Sequence, residues 1–146
     1  YDQMGFLYSS KGDLLALDYF NAALRLQPYR YDIHYKVGMF YQSFQAFDEA
    51  VQAYERAIEL KSDHKTSLHN IAVIEVFRKN YNSAISYFTQ AITADDSYVE
   101  AYFGRAYCYE LVGDLVKSES DYRTSLMLDV KYMPSRQGMD RIKKLQ

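Results

Sequence analysis

Three histidines, one cysteine and a few turn-region carboxylates are the side chains here that could do chemistry. The histidines are His34, His64 and His69. His64 and His69 are spaced so that one helix face does not hold both, and no His and Glu fall at ligand spacing. A metal centre is therefore not expected. Cys108 is the sole cysteine, which excludes an intrachain disulfide and a cysteine metal site. A reactive thiol needs a neighbouring cation and access, and Cys108, on a helix beside Tyr109, reads as a packed thiol. Asp63, Asp95 and Asp96 fall between helices, where a carboxylate favours the N-terminus of the helix that follows. Glycines are too scattered for a phosphate-cradling loop. No acid, base and oxyanion site assemble. The residues point away from an enzyme and imply no cofactor.

What the sequence arranges with regularity is small and aromatic. Ala16, Ala50, Ala84 and Ser118 recur at one constant interval. Phe20, Tyr54, Phe88 and Tyr122 keep the same interval, as do Ala23, Ala57, Ala91 and Ser125. A second set precedes these: Gly38, Ala72 and Ala106, with Tyr41, Glu75 and Tyr109. Gly5 and Tyr8 lead Gly38 and Tyr41 by one position less than that interval, which places a single deletion in a turn near Lys11-Gly12-Asp13. A fixed period of about 34 residues marks a helical repeat array. Within 47–60, Phe47, Ala50, Val51, Tyr54, Ala57 and Ile58 fall on one face of a helix. The spacing predicts helix pairs at 1–11 with 13–27, 31–43 with 47–60, 65–78 with 81–94, and 99–112 with 115–128. Lys79-Asn80 and Gly113-Asp114 are predicted turns whose Asn and Asp cap the next helix. Residues 133–146, with Pro134 in the first turn, read as one more helix with a polar back. The chain opens on Tyr1 within a repeat, so it is expected to be cut from a longer protein with more repeats upstream.

Composition sets the bounds. The chain has 146 residues, 49% hydrophobic and 25% charged, with a net charge of −2 and a pI near 5.9. That is ordinary for a globular domain, and too acidic to neutralise a phosphate backbone, so no nucleic-acid partner is expected. No apolar run reaches the roughly 18 residues of a membrane span.

The strings Met4-Gly5…Tyr8, Val37-Gly38…Tyr41 and Ala50…Tyr54…Ala57 resemble the tetratricopeptide repeat, and the likeness recurs over 1–132. Departures are Leu68 for an aromatic, Glu75 for a tyrosine, and Ser118 and Ser125 for alanines. The resemblance implies an all-α, right-handed superhelix of four repeats (1–28, 29–62, 63–96, 97–130) with a capping helix at 133–146. It also implies that the first helices line a concave groove that binds peptides or partner proteins. Side chains expected to face that groove include Phe6, Tyr35, Met39, Val73, Phe77, Phe103 and Tyr107, with His69 and Asn70 beside them. An apolar centre with a polar rim suits a protein or peptide partner with a largely apolar segment. Rigid aromatics would anchor it, and Asn70, both donor and acceptor, would hold its backbone. Some relatives clamp the C-terminal carboxylate of heat-shock chaperones with Lys, Asn, Asn, Lys and Arg. Those places hold Tyr35, Met39, Asn70, Glu100 and Gly104 here, so that clamp is not expected. The competing reading is structural, a spacer or self-association scaffold within a larger protein.

Overall fold

The computed structural model describes residues 11–145. Among them lie eight α-helices and no strand: α1 (Lys11–Leu26), α2 (Tyr31–Ser43), α3 (Phe47–Leu60), α4 (Lys65–Phe77), α5 (Tyr81–Ala94), α6 (Val99–Val112), α7 (Leu115–Leu128) and α8 (Met133–Leu145). The chain is an all-α helical-repeat protein, with helix bounds close to those the spacing predicts. Most of the first predicted helix, and with it Phe6, lies outside the described residues. One local expectation fails. Lys11-Gly12-Asp13 is not a turn but the start of α1, where Asp13 sits in the first turn and suits the helix dipole. The chain forms two compact units, one ending at Ser62 and the other beginning at Asp63.

In the first unit α2 packs on both α1 and α3. Ile33, Val37 and Ala53 form its core, with Phe20, Ala23, Leu24 and Tyr41 against them. The α3 stripe is buried as its period requires: Ala50, Tyr54 and Ala57 are inaccessible. Tyr54 lies over Gly38, and its hydroxyl donates to Gln42 Oε1.

In the second unit α4 pairs with α5 and α6 with α7, while α5 packs on α6 and α7 on α8. Phe88 of α5 presses on Gly104 of α6, where an added Cβ would lie 2.2 Å from the ring. Tyr122 of α7 repeats the contact on Gly138 of α8 at 2.3 Å, and packs with Ala106 and Ile142. The two serines that replace alanine are satisfied. Ser118 Oγ donates to the Ala106 carbonyl at 2.8 Å, and Ser135 Oγ donates to Ser125 Oγ at 2.7 Å. Buried Glu75 accepts from Arg78 Nη1 at 3.2 Å and Asn80 Nδ2 at 3.1 Å. Asn80 therefore occupies the N-cap position of α5 without capping it, contrary to expectation. Asp114 does cap α7, accepting from the Lys117 amide at 3.2 Å.

Three hairpin turns share one geometry. Gln45, Lys79 and Gly113 recur at the repeat interval and have φ of 59°, 64° and 90°. Each is followed by an amide that reaches back to the end of the preceding helix: Ala46 to the Tyr41 carbonyl, Asn80 to Glu75 and Asp114 to Tyr109. This is the left-handed helix stop that glycine suits best, yet only the third of these turns has glycine. Lys79→Gly should therefore raise stability by about 1 kcal/mol, read as a higher urea midpoint. Gly138→Ala should lower it by about 1–3 kcal/mol despite the better helix former, because the Tyr122 ring has no room to retreat. A thermal melt unchanged by that substitution would contradict the packing.

Candidate functional site

The second unit holds a cavity of about 340 Å³. It lies against α4, which supplies His69, Val73, Val76 and Phe77, and α6, which supplies Glu100, Phe103, Gly104 and Tyr107. Phe88 of α5 and Tyr132, just before α8, complete it. The helix period explains the set. His69, Val73, Val76 and Phe77 fall at i, i+4, i+7 and i+8, and Glu100, Phe103, Gly104 and Tyr107 at i, i+3, i+4 and i+7.

The rings are fixed by one another. Phe103 stacks on Tyr107 with centroids 6.2 Å apart and meets Tyr132 edge-on at 5.8 Å. His69 lies edge-on to Phe88 at 5.6 Å and tilted against Tyr98 at 5.2 Å. Phe77 stands at the mouth, 68% exposed. Such an exposed aromatic beside an apolar hollow is what a partner would cover.

Polar groups set the electrostatics. Burial holds the His69 pKa below its ordinary value, against smaller opposing effects of Asn70 and Glu100. Burial raises the Tyr132 pKa, with Glu100 and Asp129 adding to the rise. Arg141 stands 5.9 Å from the Tyr107 ring centroid, but its guanidinium is committed to Glu110 by bonds of 2.9 and 3.1 Å. Burial alone would raise the Glu110 pKa, but Arg141 and Tyr122 outweigh it and the net shift is downward. Burial pushes the Cys108 thiol up to about 12, which leaves it unreactive.

Of the side chains singled out in the sequence, His69, Val73, Phe77, Phe103 and Tyr107 meet around this cavity. Asn70 does not line it; its Oδ1 lies 3.4 Å from His69 Nδ1. Tyr35 and Met39 belong to the first unit, Tyr35 with its ring 5.9 Å from that of Tyr54 and Met39 half-exposed. Val76, Phe88 and Tyr132 line the cavity without having been singled out for it. Tyr132 carried a signal, since it stands one repeat interval after Tyr98 and continues that register past the last full repeat. Phe88 was legible as core, and it serves as both core and cavity floor.

Two sequence models described as tetratricopeptide repeat match residues 29–97 and 70–126. The protein O-mannosyl-transferase Tmtc3 of Drosophila melanogaster is 31% identical over 99 residues, which are 66% of this chain and 11% of that protein. The chain thus matches a small part of that relative's length. Among solved structures, the MamA RS-1 ArsTM double mutant superposes with a TM-score of 0.83 at 16% identity, over 97% of this chain and 79% of that one. The first TPR domain of Spaghetti (RPAP3), bound to the HSP90 peptide SRMEEVD, superposes with a TM-score of 0.77 at 20% identity, over 80% and 92%.

The depressed His69 makes the cavity sensitive to acid. Above its ordinary value of 6.5, His69 is neutral in both folded and unfolded chains and contributes nothing. Below that value the unfolded chain takes up a proton that the folded chain refuses, so stability falls as pH drops through it. His69→Gln should flatten this part of the profile. Urea midpoints for both proteins, measured above that value and about one unit below it, check the expectation. Parallel curves would refute it.

Proposed function

This chain belongs to the tetratricopeptide-repeat family, and we propose that it is a non-catalytic protein-interaction module whose cavity between α4 and α6 holds a side chain of a partner segment. The observation that carries the reading is the exposed Phe77 at the mouth of a ring-lined hollow. A pocket walled by Val73, Phe103 and Tyr107 offers an apolar side chain a desolvated seat at little entropic cost, because the rings hold one another in place. Structural relatives that bind peptides, such as the HSP90-bound domain of RPAP3, favour the same use.

The partner is not of that acidic kind. The peptide SRMEEVD carries two glutamates and a terminal aspartate, whereas this cavity presents Glu100, which would repel them. Nor does the Drosophila relative argue for transferase chemistry, since the match takes in 11% of that protein. The buried Cys108 thiol and the ion-paired Arg141 are both committed within the fold.

A random peptide library displayed on phage and selected against the full chain tests the reading. Enriched peptides should lose about 1–3 kcal/mol of binding to Phe77→Ala and to Phe103→Ala. They should be indifferent to Val116→Ala, on an exposed stretch of α7. Enriched peptides that ignore both phenylalanines would overturn it in favour of a scaffold.

A further inference from the structure

The cavity has one carboxylate, Glu100 on α6, in a wall otherwise made of rings, Val73, Val76, Gly104 and His69. Among the described residues this carboxylate has no hydrogen bond or ion pair. Its charge instead acts on His69 and Tyr132, and Asp129 adds to it at Tyr132. The cation at this edge of the site, Arg141, is held bidentately by Glu110. The cavity is therefore apolar in its walls and net negative at its rim.

Resting on the reading of this cavity as a partner site, we propose that the partner segment carries an arginine, its alkyl stem against Phe77 and Phe103 and its guanidinium on Glu100. Three alternatives fit less well. An acidic side chain would meet Glu100 with like charge. A purely apolar one would fill the ring-walled part of the cavity but make no bond to Glu100. A lysine would supply the charge and can sit over a ring, as Lys65 does over Tyr98, but its compact, strongly hydrated ammonium meets a carboxylate as a point charge. A guanidinium stacks on aromatic faces and takes a carboxylate through two parallel bonds. The volume leaves room for an apolar neighbour of the arginine beside it.

The probes are three capped tripeptides: acetyl-Leu-Arg-Leu-amide, the same peptide with citrulline, which keeps the shape of arginine without its charge, and acetyl-Leu-Glu-Leu-amide. Each is titrated into the isotopically labelled full chain, following the resonances of Val73, Phe77, Phe103 and Tyr107. The arginine peptide should bind about three- to tenfold more tightly than the citrulline peptide, and the glutamate peptide most weakly. Added salt should narrow the difference. Glu100→Gln should abolish it while leaving citrulline affinity unchanged; unchanged backbone resonances elsewhere would establish that the variant is folded. A preference for arginine that survives Glu100→Gln overturns the inference. Equal binding of arginine and citrulline, with both weakened by Phe77→Ala, removes the arginine and keeps the cavity as an apolar seat. Cavity resonances that none of the peptides moves remove both.

Discussion

The second unit depends on one contact made twice: a ring from a second helix pressed onto a glycine of the next first helix. Phe88 on Gly104 and Tyr122 on Gly138 bring each ring to where a Cβ would be. Both rings are fully buried, so each contact removes a large apolar area from water while letting two backbones approach. Spacing between helices, and hence the room left on the far side of Gly104, follows from that approach. The cavity is a consequence of the packing. Its floor is the same Phe88 that joins α5 to α6.

Around this constraint the sequence varies within limits that local chemistry explains. Serine replaces alanine at 118 and 125 because each hydroxyl finds a buried partner, the Ala106 carbonyl for one and Ser135 for the other. Glutamate replaces tyrosine at 75 because Arg78 and Asn80 satisfy its carboxylate. That exchange also explains why Asn80, placed to cap α5, turns back instead. Arg105 and Asp121 clamp α6 to α7 through bonds of 2.7 and 2.8 Å, both side chains largely sheltered. Arg141 with Glu110 and the Tyr122 hydroxyl does the same for α8. Breaking one partner of such a sheltered pair would leave the other charge unpaired.

How far the sequence disclosed this depends on whether a feature is local. The helices were legible because an apolar stripe at the helical period must be buried, and Ala50, Tyr54 and Ala57 are. The turns at Lys79-Asn80 and Gly113-Asp114 were legible, but not the left-handed backbone at Gln45 and Lys79, where an ordinary residue adopts a glycine conformation. The cavity was half legible. Counting along α4 and α6 found His69, Val73, Phe77, Phe103 and Tyr107, because one helix face follows from the period alone. Tyr132 was not found as a wall, because it arrives from a turn after α7 whose course counting along a helix does not give. Asn70 was placed on that face by the same projection, yet it stands one position, about a quarter turn, from His69 and does not line the hollow.

Glu100 joins the fold to the chemistry. Its carboxylate is exposed, so water solvates it without an ion pair. It lies in the first turn of α6, the end of a helix where the dipole favours an acidic residue. The helix start thus allows the free protein to hold an acid at the mouth of an apolar hollow while leaving its oxygens open. The same position on a helix C-terminus would be opposed by the dipole. The repeat geometry supplies the hollow through Gly104, and one turn earlier on the same helix it supplies the place where an uncommitted charge can stand.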